Sequence, residues 1–310
     1  MGRAMTILAA NYPIYPMFDR RARWLYGLFA VSIVLELALL FALGLRLDSG
    51  PIVAAQSWPL LIIGAWASRR IGFDRMATGL EALALLYGQA LALCFSTAAL
   101  ATISGPLADD WLAAGDRLLG FDWLAYYHAT RPYFSMLRPA YFSFNWLPAV
   151  VIIGLTIEGR FTRVWQFVTA AMLALMVAIA IFPFAPAASP VVVNQLTDPA
   201  IFGAAKFWPI MSELRSGAVR TIDLRHVAGM VSFPSYHTVA AILIIWAAWA
   251  SRWLRWPVMA ICLGMAVAIP TVGDHYLTDM VGGVLLGLGM IPIAKRLVWD
   301  IPARKQANNA

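Results

Sequence analysis

Phe233-Pro234-Ser235-Tyr236-His237-Thr238-Val239-Ala240-Ala241-Ile242-Leu243-Ile244-Ile245-Trp246-Ala247-Ala248-Trp249-Ala250 is a short polar motif that runs straight into an apolar stretch. Starting two residues before His275, Gly273-Asp274-His275-Tyr276-Leu277-Thr278-Asp279 repeats the arrangement ahead of the apolar run from Met280 to Ala294. Two of the four histidines of the chain therefore sit at the ends of long apolar segments. Imidazole and carboxylate are costly near hydrocarbon, so ionisable groups in that position mark a candidate functional site.

Composition supplies the setting. Of 310 residues, 61% are hydrophobic and only 13% charged, well outside the balance of ordinary soluble domains. Apolar runs of roughly 17 to 25 residues, each able to cross about 30 Å of hydrocarbon as a helix, recur along the whole chain. The expected fold class is all-α, a polytopic membrane helical bundle with about eight transmembrane helices. The expected spans run from Leu25 to Leu45, Ile52 to Ala67, Ala77 to Ile103, Ala140 to Ile157, Val164 to Phe184, Thr238 to Ala250, Val258 to Val272 and Met280 to Ala294. The short sixth run is kept because Ser251, Arg252, Trp253 and Arg255 follow it, and such aromatic and snorkelling side chains suit a membrane interface. The second, interrupted by Gln56 and Pro59, is the weakest. The chain divides into an N-terminal helix pair (1–76), a core of six helices (77–298) and a cytoplasmic tail (299–310).

Basic residues orient this arrangement, because cytoplasmic loops are enriched in Lys and Arg. The larger share of the 23 falls on one side, including Arg20, Arg21, Arg23, Arg69, Arg70, Arg75, Arg160, Arg163, Arg252 and Arg255. Both termini are then expected in the cytoplasm, and His237, His275 and Asp279 on the opposite, outward face. The net charge of +7 comes from these short juxtamembrane clusters. They read as topology signals and contacts to anionic headgroups rather than as a nucleic-acid surface. Cys94 and Cys262 both fall inside spans, which leaves no disulfide framework and no zinc spacing. The first apolar run follows arginines but lacks a small-residue cleavage site, so a retained signal anchor is expected.

Two outward segments remain. Gly105 to Pro139 mixes charged residues with Trp111, Leu112, Leu118, Leu119, Phe121, Trp123 and Tyr127, a pattern suited to helices lying in the interface plane and roofing the site. Ala185 to Val231 carries Lys206, Arg215, Arg220 and Arg225 just ahead of the first motif, and so many cations beside a candidate site point to an anionic substrate.

Phosphoryl transfer needs an in-line nucleophile, donors for the equatorial oxygens and a proton for the departing alkoxide. The motifs offer all three. His275 can attack phosphorus if its other ring nitrogen donates to a carboxylate, and Asp279 stands one helical turn away. That carboxylate would fix the tautomer and stabilise the developing cation. His237 can hold the proton for the leaving oxygen. Ser235 and amides at the start of the following helix can bear phosphate oxygens.

These motifs resemble the second and third signatures of the type 2 phosphatidic acid phosphatase superfamily. Within it, Phe233-Pro234-Ser235-Tyr236-His237 and His275-Tyr276-Leu277-Thr278-Asp279 look most like the branch containing inositol phosphorylceramide synthases and their bacterial relatives. Gly120-Phe121-Asp122-Trp123 and Leu214-Arg215-Ser216-Gly217 share that likeness, which covers roughly Leu118 to Leu288. The resemblance implies a six-helix phosphatase-like core, with His275 as nucleophile forming a phosphohistidine, Asp279 as its orienter and His237 as general acid and then base. It implies no metal and no cofactor. It also implies a bacterial inner membrane with the site on the periplasmic face. The implied partners are a lipid phosphate or phospholipid substrate and the bilayer, with a second lipid as acceptor left open.

The first signature of the family, Lys, six residues, then Arg-Pro, has no counterpart in Ile181-Phe182-Pro183-Phe184-Ala185-Pro186-Ala187-Ala188-Ser189-Pro190. Arg131 to Pro139 has a related Arg-x6-Arg-Pro spacing before a different helix, making Arg131 and Arg138 candidate phosphate contacts beside the better placed Arg215 and Arg225. The reading is thus a lipid phosphatase or phosphotransferase, with a narrower headgroup synthase as alternative and a lipid transporter or membrane scaffold as the reading of another class. A transporter would favour inverted repeats and midplane polar groups, which the chain does not display clearly. Glu36 and Glu81 read as packing carboxylates ahead of a proton path. Asp274 is expected as an outward helix-end residue, and His128 and His226 as ordinary loop residues.

Overall fold

The computed structural model describes residues 19, 23–48, 53–197, 207–223 and 229–299. In chain order the helices are α1 (Arg23–Ala42), α2 (Val53–Arg70), α3 (Asp74–Ala101), α4 (Asp109–Leu118), α5 (Trp123–Thr130), α6 (Phe134–Phe142), α7 (Leu147–Ile157), α8 (Phe161–Ile181), α9 (Pro190–Val193), α10 (Trp208–Ser216), α11 (Tyr236–Ala248), α12 (Arg255–Ala268) and α13 (Leu277–Leu297). Two three-residue strands, β1 (Arg46–Asp48) and β2 (Thr221–Asp223), pair in parallel with Arg46 opposite Thr221. They tie the loop after α1 to the segment that leads into the first motif.

The protein is an all-α integral membrane protein. By length and composition, α1, α3, α13 and the helix continuing from Phe161 to Phe184 can each cross a bilayer. A fifth candidate is the pair Trp123–Asn145 and Leu147–Ile157, bent by 53°. Helices α11 and α12 are apolar but shorter. The run expected as one span from Ala140 to Ile157 is therefore not one helix. It ends α6 at Phe142, passes through a 3-10 turn at Ser143–Asn145 and restarts with Pro148 in the first turn of α7. Proline costs a helix least there, because the amides of a first turn have no helical partner to lose. The bend turns Tyr141, Phe144 and Asn145 inward toward the candidate site.

Helix α3, about 42 Å long at 1.5 Å per residue, is the central post. It packs against α1, α2, α7 and α8, while α8 also packs on α11 and α13. Trp165, Phe167, Val168 and Met172 of α8 fill the interior with Ile152 and Leu155 of α7 and Leu243 and Ile244 of α11. Outward-facing Val31, Val34, Leu35, Leu37 and Phe41 of α1 are exposed, as a helix against lipid requires.

Buried Glu81 joins the first three helices. Tyr26 Oη donates to its Oε1 at 2.8 Å, and Arg69 of α2 forms an ion pair with its Oε2. Glu36 likewise accepts from Ser96 between α1 and α3. Both carboxylates have packing partners, and neither is on the cavity wall described below.

Removing one member of a buried ion pair costs about 3–5 kcal/mol because the other charge is stranded. Arg69→Met should therefore lower the thermal midpoint in detergent clearly, and adding Glu81→Gln should restore most of the loss. A double variant no more stable than the single one would show that the pair does not join the helices in this way.

Candidate active site

The two motifs meet through α11 and α13. Ser235 precedes α11 and gives its backbone N–H to the carbonyl of Asp279 at 3.0 Å. Their approach depends on Gly283, where a Cβ would lie 2.5 Å from the Ser235 carbonyl and 2.8 Å from Thr238 Cβ. Only a residue without a side chain lets the backbones come so near.

Asp279 is fully buried and gathers the rest. Its Oδ2 accepts from Ser232 Oγ at 2.9 Å and from the Tyr276 backbone N–H at 3.0 Å, and lies 3.2 Å from His275 Nδ1. With Nδ1 committed to the carboxylate, Nε2 is the imidazole nitrogen left for chemistry. His275 is 5% exposed. His237 faces it with ring centroids 6.2 Å apart at 60°, the separation of an edge-to-face ring pair. Tyr141 stacks on His237 at 4.3 Å and Phe144 packs on it at 4.5 Å, so the imidazole is held in an aromatic slot.

Both imidazoles line a cavity of about 380 Å³. Most of the wall is apolar and comes from α3, α6, α8 and the segment before the first motif, including Leu93, Phe142, Leu175, Ile179 and Met230. A second cavity of about 170 Å³ shares Ala90, Phe144, Asn145, Leu175 and Tyr236 with the first. It continues among Phe167, Met172 and Leu243. This is the form of a small-molecule site with an apolar body and a few convergent polar groups.

The remaining expected site residues are dispersed. The Ser235 hydroxyl is buried and has no hydrogen-bond partner among the described residues. Arg215 bonds Ser104 Oγ and, at 2.9 Å, the Gly105 carbonyl. Arg131 lies over the Phe134 ring and Arg138 over that of Phe142. No Lys or Arg lines the cavity among the described residues. Arg225, Lys206 and His226 fall outside the described residues, and His128 is exposed on α5. Asp274, just ahead of α13, is fully buried, with φ +59°, and its Oδ1 accepts from the Val191 N–H at 2.9 Å. The chain folds back over that loop, so the carboxylate satisfies an amide instead of meeting water.

The segment expected as a roof packs on the loops that carry the second motif. Trp123 Nε1 donates to the carbonyls of Pro270 and His275 at 2.9 and 3.1 Å. Asp109 of α4 accepts from the amides of Ala188 and Ser189 and from Tyr276 Oη. Asp116 accepts from the Leu277 and Thr278 amides and from Thr278 Oγ1. Burial, then the Asp109 carboxylate, holds the Tyr276 hydroxyl protonated far above its usual range. Burial also pushes the Asp116 carboxyl up, against the bonds from Thr278 and Leu277, which lower it. Sequence reasoning passed over both aspartates. The signal was Asp109, Leu112 and Asp116 at i, i+3 and i+7, one face of a helix.

A model of the PAP2 superfamily matches residues 110–293. The match covers more than half of the chain and includes both motifs, and the chain belongs to that superfamily. Comparison with curated proteins and with solved structures gave no match.

Gly283→Ala should destabilise the protein by about 1–3 kcal/mol, the usual cost of overpacking. Gly289→Ala on the same helix, where a Cβ meets nothing within 4 Å, is the control and should hold or raise the thermal midpoint. Equal behaviour of the two variants would mean that α11 and α13 are not locked by this contact.

Proposed function

We propose that the protein is a membrane lipid phosphatase or phosphotransferase working through a phosphohistidine. Membership of the PAP2 superfamily supports phosphatase-like chemistry on a lipid phosphate. The observation that carries the finer reading is His275, bonded through Nδ1 to buried Asp279 and facing His237 across an apolar cavity.

In this mechanism His275 Nε2 attacks phosphorus while the bond to the lipid oxygen breaks on the opposite side. His237 gives its proton to the departing alkoxide, so the lipid leaves as an alcohol. Asp279 stabilises the imidazolium character that develops on His275. In the second half His237, now neutral, takes a proton from an incoming hydroxyl whose oxygen attacks the phosphohistidine, and His275 is regenerated. Ser235, Arg215 and Arg225 are the groups proposed to bear the phosphate oxygens, with Arg131 and Arg138 as further candidates. The outward, periplasmic placement of the site and the cytoplasmic termini belong to the same proposal.

The acceptor decides between two outcomes. Water gives a phosphatase; a lipid hydroxyl gives a headgroup transferase of the kind the inositol phosphorylceramide synthase branch represents. The second cavity favours keeping this alternative, since it offers an apolar chain a place beside the first.

The test incubates purified protein with lipid phosphate monoesters and phosphodiesters, with and without a long-chain alcohol, following inorganic phosphate and new lipids. Release of phosphate marks a hydrolase, and a new phospholipid formed only with acceptor marks a transferase. His275→Ala should abolish either activity and an acid-labile phosphoprotein. Asp279→Asn should lower kcat by about 10³-fold or more, on the scale seen when a catalytic histidine loses its orienting carboxylate. Folded protein inert on every substrate, or full activity in His275→Ala, would defeat the proposal.

A further inference from the structure

Helix α4 presents one face to the second motif, and that face is built from Asp109, Leu112 and Asp116. All three are buried, Leu112 completely. Asp116 does what an N-cap does for α13, but from another helix. Its Oδ2 accepts from the Leu277 N–H at 3.1 Å, and its Oδ1 accepts from the Thr278 N–H and the Thr278 hydroxyl, both at 2.8 Å. The first amides of a helix have no partner within it, and a carboxylate beside them is favoured by hydrogen bonding and by the helix dipole. The cap residue Tyr276 gives its own N–H to Asp279, so two carboxylates share the start of α13, one inside the candidate catalytic pair and one behind it.

The contact is close as well as polar. A Cβ on Gly115 would lie 2.4 Å from Thr278 Oγ1, and that hydroxyl also reaches the Leu112 carbonyl at 3.1 Å. Seven residues before Asp116, Asp109 holds Tyr276 Oη at 2.9 Å along with two amides of the loop before α9. Residues 276, 277 and 278, which separate His275 from Asp279, are therefore each gripped by α4.

We propose that Asp116, backed by Asp109, is a positioning residue of this site: it fixes the first turn of α13 and thereby sets the His275–Asp279 pair. The proposal rests on the phosphoryl-transfer reading for its kinetic consequence only. Asp116 does not touch the cavity wall, so its effect passes through the geometry of the imidazole and its carboxylate partner. Asparagine in its place keeps the shape but turns an amide NH2 toward backbone donors, which leaves at least one donor unpaired.

The experiment compares wild type, Asp116→Asn, Asp116→Glu, Gly115→Ala and Asp110→Asn, the last an exposed carboxylate on the same helix. Kinetics are read with whichever lipid phosphate the wild type uses, and nitrogen-15 histidine spectra report the tautomer of His275, assigned with His275→Gln. A chain with four histidines keeps those spectra simple. Asp116→Asn should lower kcat roughly 10- to 100-fold with KM little changed, the scale expected from misplacing a reacting group. His275 should lose its single Nδ1–H tautomer, Asp116→Glu should restore part of both signals, and Asp110→Asn should match wild type. Folded Asp116→Asn with wild-type kcat and an unshifted His275 resonance overturns the proposal. If Asp116→Asn does not fold, Gly115→Ala decides, because it wedges the same contact without removing a charge; wild-type kcat and spectra there also overturn it. A wild type inert on all lipid phosphates would instead defeat the functional reading, while the spectra would still judge the positioning role.

Discussion

The Asp279 carboxylate is the interaction on which the rest of the site depends. One oxygen gathers the hydroxyl of Ser232, the amide of Tyr276 and the Nδ1 of His275, while the backbone carbonyl of the same residue holds the amide of Ser235. Both motifs, 38 residues apart between their histidines, thus close on a single buried residue. A fully buried carboxylate is tolerable only when strong donors replace its lost water, and bonds to a charged group are worth about 1.5–3 kcal/mol each. The donors that satisfy Oδ2 are the same groups that orient the imidazole. Stability and orientation are therefore not separable at this position, which is why a neutral substitute is expected to disturb both.

Membrane physics explains why the site is assembled from helix ends. A spanning segment must satisfy its backbone internally, so the positions free to offer amides, caps and polar side chains are the ends of helices and the turns between them. His237 lies in the first turn of α11, His275 just ahead of α13, and Tyr141, Phe144 and Asn145 at the break between α6 and α7. The two imidazoles, Tyr141 and Asn145 come from such ends, and α3 and α8 supply much of the remaining wall, including Cys94 and Thr97 of α3. The result suits an amphiphile: a polar centre against the two imidazoles and an apolar volume that leads away from it.

What could be read from the chain divides along the range of the interactions. The apolar runs gave the helices, because span length and composition are local properties. His275 and Asp279 are four residues apart, so one helical turn brings them together whatever the rest does. The break between Ala140 and Ile157 left Ser143, Asn145 and Pro148 as short traces inside an otherwise apolar run. Arg215 illustrates the opposite limit. Composition placed a cation near the first motif, but its guanidinium bonds Ser104 and Gly105, more than 100 residues earlier in the chain. Asp109 and Asp116 share one helix face in the sequence, but their roles were hidden for the same reason: their donors at 188, 189, 277 and 278 are far away in sequence. An aspartate in an amphipathic interfacial helix looks like a solvated residue until the partner loop is seen.

The absence of the first family signature has a structural counterpart in the loop from Phe182 to Pro190. That segment has no basic side chain, and its Ala185, Ala187 and Ala188 are buried. The amides of Ala188 and Ser189 are occupied by Asp109, and that of Val191, just beyond the loop, by Asp274. Small residues let the loop lie close against α4, and the acidic partners make it a fixed strut rather than an anion receptor. A guanidinium introduced there would have to displace a packed alanine and would meet two aspartates before reaching a phosphate. The loop is thus given over to supporting α4 and the turn before α13.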